Sequence, residues 1–197
     1  MSNSYKIAVL PGDGIGPEVT AESVKVLNVL AQAFQYKFEF EYAKMGAEAI
    51  FETGNPLPEE TLTVCKNADA VLFGAIGDPY FDNNPDAKVR PEQGLLKLRK
   101  ELGLFANIRP IKTYSSLTKK SPLKKEIVDG TDIQIYRELI SGIYFGEKFT
   151  DENGEYAYDV CKYSKSEIER ITHLAFQDAQ KRRKKVIWHL LSAAVLS

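Results

Sequence analysis

Three arginines and a tyrosine are the residues of this 197-residue chain whose types and settings could do chemistry. Arg99 stands in Leu98-Arg near the end of a helical segment, Arg109 in Asn107-Ile-Arg-Pro110 on the strand that follows, and Arg137 in Ile135-Tyr-Arg-Glu138. A guanidinium stays charged at every working pH, and its planar fork takes a carboxylate through two parallel hydrogen bonds. Three such forks brought to one pocket would suit a dicarboxylate. Each taken alone reads as a surface ion-pair partner; the flanking residues set these three apart. Tyr144 lies in Gly142-Ile-Tyr-Phe-Gly146. A phenol, with an ordinary pKa of about 10, can serve as a general acid when neighbouring charge tunes it. The plain alternative is an aromatic packed in a strand, a serious one in a chain with ten tyrosines. The glycines on either side favour chemistry.

Apolar runs alternate with helical periodicities in the stretch leading to Arg99. Tyr5–Leu10 has a buried-strand pattern, and after a Gly/Pro turn Val19, Val24, Leu27, Leu30 and Ala31 recur at roughly helical spacing, with Pro17 suited to the first turn. Lys37–Tyr42 reads as a strand, Thr53-Gly-Asn-Pro56 as a turn, and Pro58–Lys66 as a helix. Ala70–Ile76 has strand length and opens onto a polar loop, Gly77–Arg90; a helix over Pro91–Leu102 is closed by Gly103, the place for a left-handed cap. This alternation predicts an α/β fold with a parallel sheet and crossover helices.

The pattern then changes. Phe105–Thr113, Asp132–Glu138 and Ile143–Phe149 are strand candidates lying close together, and Asp151-Glu-Asn-Gly154 reads as the turn of a hairpin between Lys148-Phe-Thr150 and Glu155–Tyr158. A helix starts at Ser164, where Ser-Lys-Ser-Glu167 forms a capping box ahead of the apolar stripe Ile168, Ile171, Leu174, Ala175 and Ala179. The run Lys181-Arg-Arg-Lys-Lys185 complements the dipole at that helix's end and reads as a solvated face rather than a nucleic-acid patch.

A net charge of −1 gives no general field for nucleic acid or anionic membrane. Cys65 and Cys161 are far apart and lack metal-site spacing, which suits a reducing compartment. The N-terminus runs into a strand without a charged-then-apolar leader, and no apolar stretch reaches the about 18 residues a membrane span needs. The expectation is a cytoplasmic protein with no nucleic-acid or membrane partner.

Gly12-Asp-Gly-Ile-Gly16 is no dinucleotide fingerprint, because its third glycine comes one residue early for G-x-G-x-x-G. With its flanks, Lys6-Ile-Ala-Val-Leu-Pro-Gly-Asp-Gly-Ile-Gly-Pro-Glu-Val19 resembles the opening of the β-decarboxylating dehydrogenases, the isopropylmalate and isocitrate dehydrogenase family. Phe73-Gly-Ala-Ile-Gly-Asp78 and Arg90-Pro-Glu-Gln-Gly-Leu-Leu-Lys-Leu-Arg-Lys-Glu-Leu-Gly-Leu-Phe-Ala-Asn-Ile-Arg-Pro110 are similar to the isopropylmalate branch, whereas isocitrate enzymes carry a serine-bearing, more polar segment at Glu92–Leu96. An isopropyl branch needs an apolar wall, which Leu95 and Leu96 can supply; ordinary helix packing is their other reading.

The resemblance implies a two-lobed, non-Rossmann fold that is incomplete here. Residues 1–104 would be the first part of the cofactor-side lobe and 105–186 the first part of a mixed second lobe, with an arm hairpin at about 147–160 clasping a second copy in a homodimer. It implies NAD-dependent oxidative decarboxylation of (2R,3S)-3-isopropylmalate, a 2-hydroxy dicarboxylate, in leucine biosynthesis. Arg99, Arg109 and Arg137 would hold the carboxylates and Tyr144 would be the catalytic acid. Ile15, Gly77, Asp78 and Glu92 would line the cofactor, Glu92 on the nicotinamide side.

It implies Mg2+ or Mn2+ as well, but the family's metal-binding aspartates and its general-base lysine, in an Asp-Lys-x-Asn strand, have no match in this chain. After Val186 the chain reads Ile187-Trp-His-Leu-Leu-Ser-Ala-Ala-Val-Leu-Ser197, a tail unlike the family, in which His189 carries no role. The expectations are a dehydrogenase by family that is inactive as this isolated chain, or a non-catalytic fragment keeping a partial pocket and the arm. Isocitrate, homoisocitrate and tartrate enzymes stay open as relatives.

Overall fold

A computed structural model of the chain describes residues 4–84 and 86–187. The chain divides into two units, Met1–Leu102 and Gly103–Ser197. The tail from Trp188 onward, with His189, lies outside the described residues.

The first unit runs β1 (Ser4–Gly12), α1 (Gly16–Phe34), β2 (Lys37–Tyr42), α2 (Ala47–Thr53), α3 (Glu59–Lys66), β3 (Ala70–Ala75), α4 (Pro79–Asp82) and α5 (Pro91–Glu101). The three strands form a parallel sheet in the order β2-β1-β3, with Ile7 opposite both Phe40 and Ala70. A central strand covered on both faces is a continuous apolar run, and Ile7–Leu10 are all buried. Leu10 packs with Met45, Leu57, Leu62 and Leu98, so α3 and α5 close over the sheet through one core. Inside the expected loop Gly77–Arg90 the chain makes the single turn α4. Asp78 accepts from the Tyr80 amide at 2.8 Å, and Pro79 fits the first helical turn. Arg90 stitches the loop by donating to the carbonyls of Phe81 and Asn84 at 2.8 and 3.2 Å.

The second unit contains β4 (Ala106–Lys112), a 3-10 turn at Ser115–Lys120, α6 (Lys125–Val128), β5 (Asp132–Glu138), a 3-10 turn at Gly142–Tyr144, the hairpin β6 (Lys148–Thr150) and β7 (Ala157–Asp159), and α7 (Lys165–Lys181). β4 and β5 are antiparallel. The strand expected over Ile143–Phe149 does not form as such. Gly142 enters with φ 75°, and the amides of Phe145 and Gly146 turn back to its carbonyl at 3.2 and 2.9 Å, a helical pattern that leaves only Lys148–Thr150 to pair. Tyr144 therefore rides on a turn.

α7 starts where the capping box places it. The Ser164 hydroxyl accepts from the Glu167 amide at 3.3 Å, and the Glu167 carboxylate accepts from the Ser164 amide at 2.6 Å. That backbone bond is the largest cause holding the Glu167 carboxyl below its ordinary pKa. A group whose folded pKa is depressed adds stability above its unfolded pKa and loses it as pH falls through the folded value. Glu167→Gln should therefore be less stable than wild type at neutral pH and converge with it in acid. Ser164→Ala should cost about 1 kcal/mol in urea denaturation, the ordinary worth of an N-cap.

Candidate functional site

The β4–β5 ribbon presents two unlike faces, because side chains alternate along each strand and directly paired residues share a face. Asp132, Tyr136 and Glu138 lie on one face, and α7 covers it. Arg170 Nε and Nη2 donate to the two Glu138 carboxylate oxygens at 2.9 and 2.7 Å, and Arg182 reaches Asp132 at 2.7 Å. Burial, with an Asp178 hydrogen bond adding to it, pushes the Tyr136 phenol up to about 12.

The opposite face carries Asn107, Arg109, Ile111, Ile133, Ile135 and Arg137, paired as Asn107 with Arg137, Arg109 with Ile135 and Ile111 with Ile133. Arg109 Nε donates to Asn107 Oδ1 at 2.6 Å, which ties it to the residue paired with Arg137. The Arg137 guanidinium carbon lies 5.3 Å from the centroid of the Tyr144 ring, within cation–π range. Both arginines and Tyr144 are exposed. Two cations, an aromatic hydroxyl and apolar isoleucines are thus assembled on one accessible face. Such a face can hold a carboxylate on the forks while a phenol stands within a side chain's reach.

In the first unit the other candidates gather at the carboxyl ends of the strands. The chain leaves central β1 for β2 on one side and returns for β3 on the other, so those ends form a topological switch point, where open α/β sheets bind ligands. Ile15, 57% exposed, precedes α1 there, and Gly77 and Asp78 follow β3. Glu92, in the first turn of α5, brings Oε1 within 3.1 Å of where a side chain at Gly77 would begin.

What holds this loop is Asp13, a residue that no sequence motif marks as a brace. Asp13 is buried; its Oδ1 accepts from the Ala47 amide at 2.8 Å and its Oδ2 from the Gly77 amide at 3.0 Å. A side chain at Gly46 would come within 2.7 Å of Oδ1, so the carboxylate sits in a cradle that only glycine leaves open. The one sequence signal was a carboxylate set between two turn glycines.

Arg99 lies half-buried in the last turn of α5, one helical turn after Leu95 and Leu96. Leu95 packs against the core of its unit, so ordinary helix packing accounts for it, while Leu96 is half-buried beside it. Among the described residues no group of three or more His, Cys, Asp or Glu could hold a metal ion, and no helix is long and apolar enough to cross a membrane.

The profile of the isocitrate/isopropylmalate dehydrogenase family matches residues 6–197. The chain is 57% identical over 180 residues to a 3-isopropylmalate dehydrogenase of Bacteroides fragilis, covering 91% of this chain and 50% of that protein. It is 52% identical over 185 residues to the 3-isopropylmalate dehydrogenase of Aquifex aeolicus, covering 92% of this chain and 50% of the relative. It thus spans about half the length of the curated relatives it matches. Among solved structures, a β-decarboxylating dehydrogenase from Thermococcus kodakarensis aligns with TM-score 0.63 at 36% identity, over 90% of this chain and 46% of that one. Isocitrate dehydrogenase from Methylococcus capsulatus aligns with TM-score 0.71 at 25% identity, over 91% and 48%.

Proposed function

The chain belongs to the isocitrate/isopropylmalate dehydrogenase family, and from that premise we propose that it carries the carboxylate-binding arginines, the tyrosine acid and the first cofactor loop of an NAD-dependent 3-isopropylmalate dehydrogenase of leucine biosynthesis. The observation that supports this most is Arg109, Arg137 and Tyr144 sharing one accessible face. On α5, Arg99 is a further fork and Leu96 the apolar contact for the isopropyl branch. Phe149, Tyr156 and Tyr158, whose rings lie 5.5 to 5.8 Å apart on the hairpin, are the exposed aromatic surface of a homodimer arm. The cytoplasm is the proposed compartment.

The residues do their work on a 2-hydroxy dicarboxylate. Bidentate forks hold the carboxylates and so restrict how the substrate can turn on the β4–β5 face. Gly77 and Glu92 would hold the nicotinamide, which would supply the hydride acceptor for the hydroxyl-bearing carbon, the hydroxyl proton passing to solvent. The resulting ketone has a carboxylate β to it, so carbon dioxide leaves with the bond's electrons passing into an enolate. Tyr144 gives its phenolic proton to the enolate carbon.

Titration of the purified chain with 3-isopropylmalate, isocitrate and tartrate, read by amide NMR shifts on β4 and β5, tests the reading. The isopropyl compound should bind on the order of tenfold tighter than isocitrate, the discrimination an apolar branch supplies. Arg137→Ala should abolish the shifts. Equal or reversed preference would return the substrate to the isocitrate, homoisocitrate or tartrate class, and binding unaffected by Arg137→Ala would sink the carboxylate site.

A further inference from the structure

The turn that carries Tyr144 is clamped by a segment to which no role has been given. Val160–Tyr163 follows the hairpin and runs beside residues 141–147. The Gly142 amide donates to the Lys162 carbonyl at 3.1 Å, the Ser141 hydroxyl to the same carbonyl at 3.4 Å, and the Val160 amide to the Glu147 carbonyl at 2.9 Å. Ser141 is held from α7 as well, donating to Glu167 at 2.9 Å. Both glycines flanking Tyr144 are pressed on this segment. A side chain at Gly146 would run into the Val160 carbonyl oxygen, and one at Gly142 into the Tyr163 hydroxyl, with the adjoining ring carbon 2.6 Å away. Gly142 is buried with φ 75°, a conformation costly for any other residue.

We propose that Tyr163 is a positioning residue for Tyr144: its ring fills the space that glycine leaves at position 142 and so fixes the turn that lays the Tyr144 ring against Arg137. The inference rests on the reading of Tyr144 as the acid. A glycine has no side chain to anchor its own turn, and the turn starts at Gly142, two residues before Tyr144. Without the Tyr163 ring, backbone rotation at Gly142 would swing the phenol away from the guanidinium 5.3 Å from its centroid. Electrostatics agrees with the geometry. Burial, then Cys161, raises the Tyr163 pKa while the Arg137 charge opposes the rise.

The test is NMR of the whole labelled chain, and it needs no ligand. The Tyr144 ring shields the Arg137 δ-methylene and Nε–H, and that contribution is the wild-type shift minus the shift in Tyr144→Leu. Tyr163→Ala should remove roughly half or more of it while the β4–β5 amides keep their dispersion, the loss expected when a cation leaves the ring face. Tyr163→Phe, which keeps the ring on Gly142, should retain it. Should Tyr163→Ala fail to fold, Tyr163→Leu is read in the same way. Full retention of the Arg137 shielding in the ring-less variant overturns the proposal. Failure of the functional reading looks different: the chain would show no 3-isopropylmalate shifts, while Tyr163→Ala would still release Arg137.

Discussion

Asp13→Ala should destabilise the first unit by about 3 kcal/mol, because it orphans a buried amide and a half-buried one at once and each unsatisfied donor costs about 1–3 kcal/mol. Asp13 is 6% exposed, and its oxygens are the acceptors for the amides of Ala47 and Gly77. Asn keeps one acceptor and the shape, so Asp13→Asn should lose about half as much. Urea denaturation, with hydrogen exchange at the β1 amides Ile7–Leu10 as the probe of this unit, measures both. A change below about 0.5 kcal/mol for Asp13→Ala, the range of an ordinary surface substitution, would refute the bracing role. The same carboxylate anchors the loop at Gly77 on which Glu92 converges.

A comparable loss, about 3 kcal/mol, is expected for Arg170→Ala in the second unit. The Glu138 side chain is only 7% exposed, and without Arg170 its charge keeps, among the described residues, a 3.3 Å hydrogen bond from the Ile140 amide. Breaking a buried pair from one side strands a charge, which costs far more than the net worth of the pair. Arg170 also lies 4.7 Å over the Phe105 ring, a contact that goes with it. Replacing both partners with apolar residues of similar size should recover most of the stability. If the single and double variants are equally unstable by urea denaturation, packing rather than the stranded charge is responsible. The pair faces α7 while Arg137 occupies the other side of the same strand, so on the proposed function Arg170→Ala should also weaken the 3-isopropylmalate shifts while leaving the Arg137 face intact.

Local pattern was enough wherever a segment's burial follows from its own residues. Lys37–Tyr42 and Asp132–Glu138 form strands over the very spans their sequences indicate, and Ser164 with Glu167 caps α7 as the four-residue motif dictates. Ile143–Phe149 misled for a physical reason. Ile-Tyr-Phe has the apolar length of a strand, yet the conformation is set by Gly142, whose left-handed φ is accommodated against Tyr163, a partner 21 residues away. α4 was hidden for the opposite reason, being a single turn too short to show a period.

The sequence by itself determined the family, the α/β alternation of the first unit and the identity of the arginines and tyrosine, because those depend on residue types and short-range spacing. Only the tertiary structure decided what shares a face with what. Arg109 and Arg137 meet because the antiparallel register sets Asn107 opposite Arg137, and a one-residue slip would have turned them to opposite faces. Asp13 became a brace because its two amide partners lie 34 and 64 residues along the chain, a separation no local pattern reports.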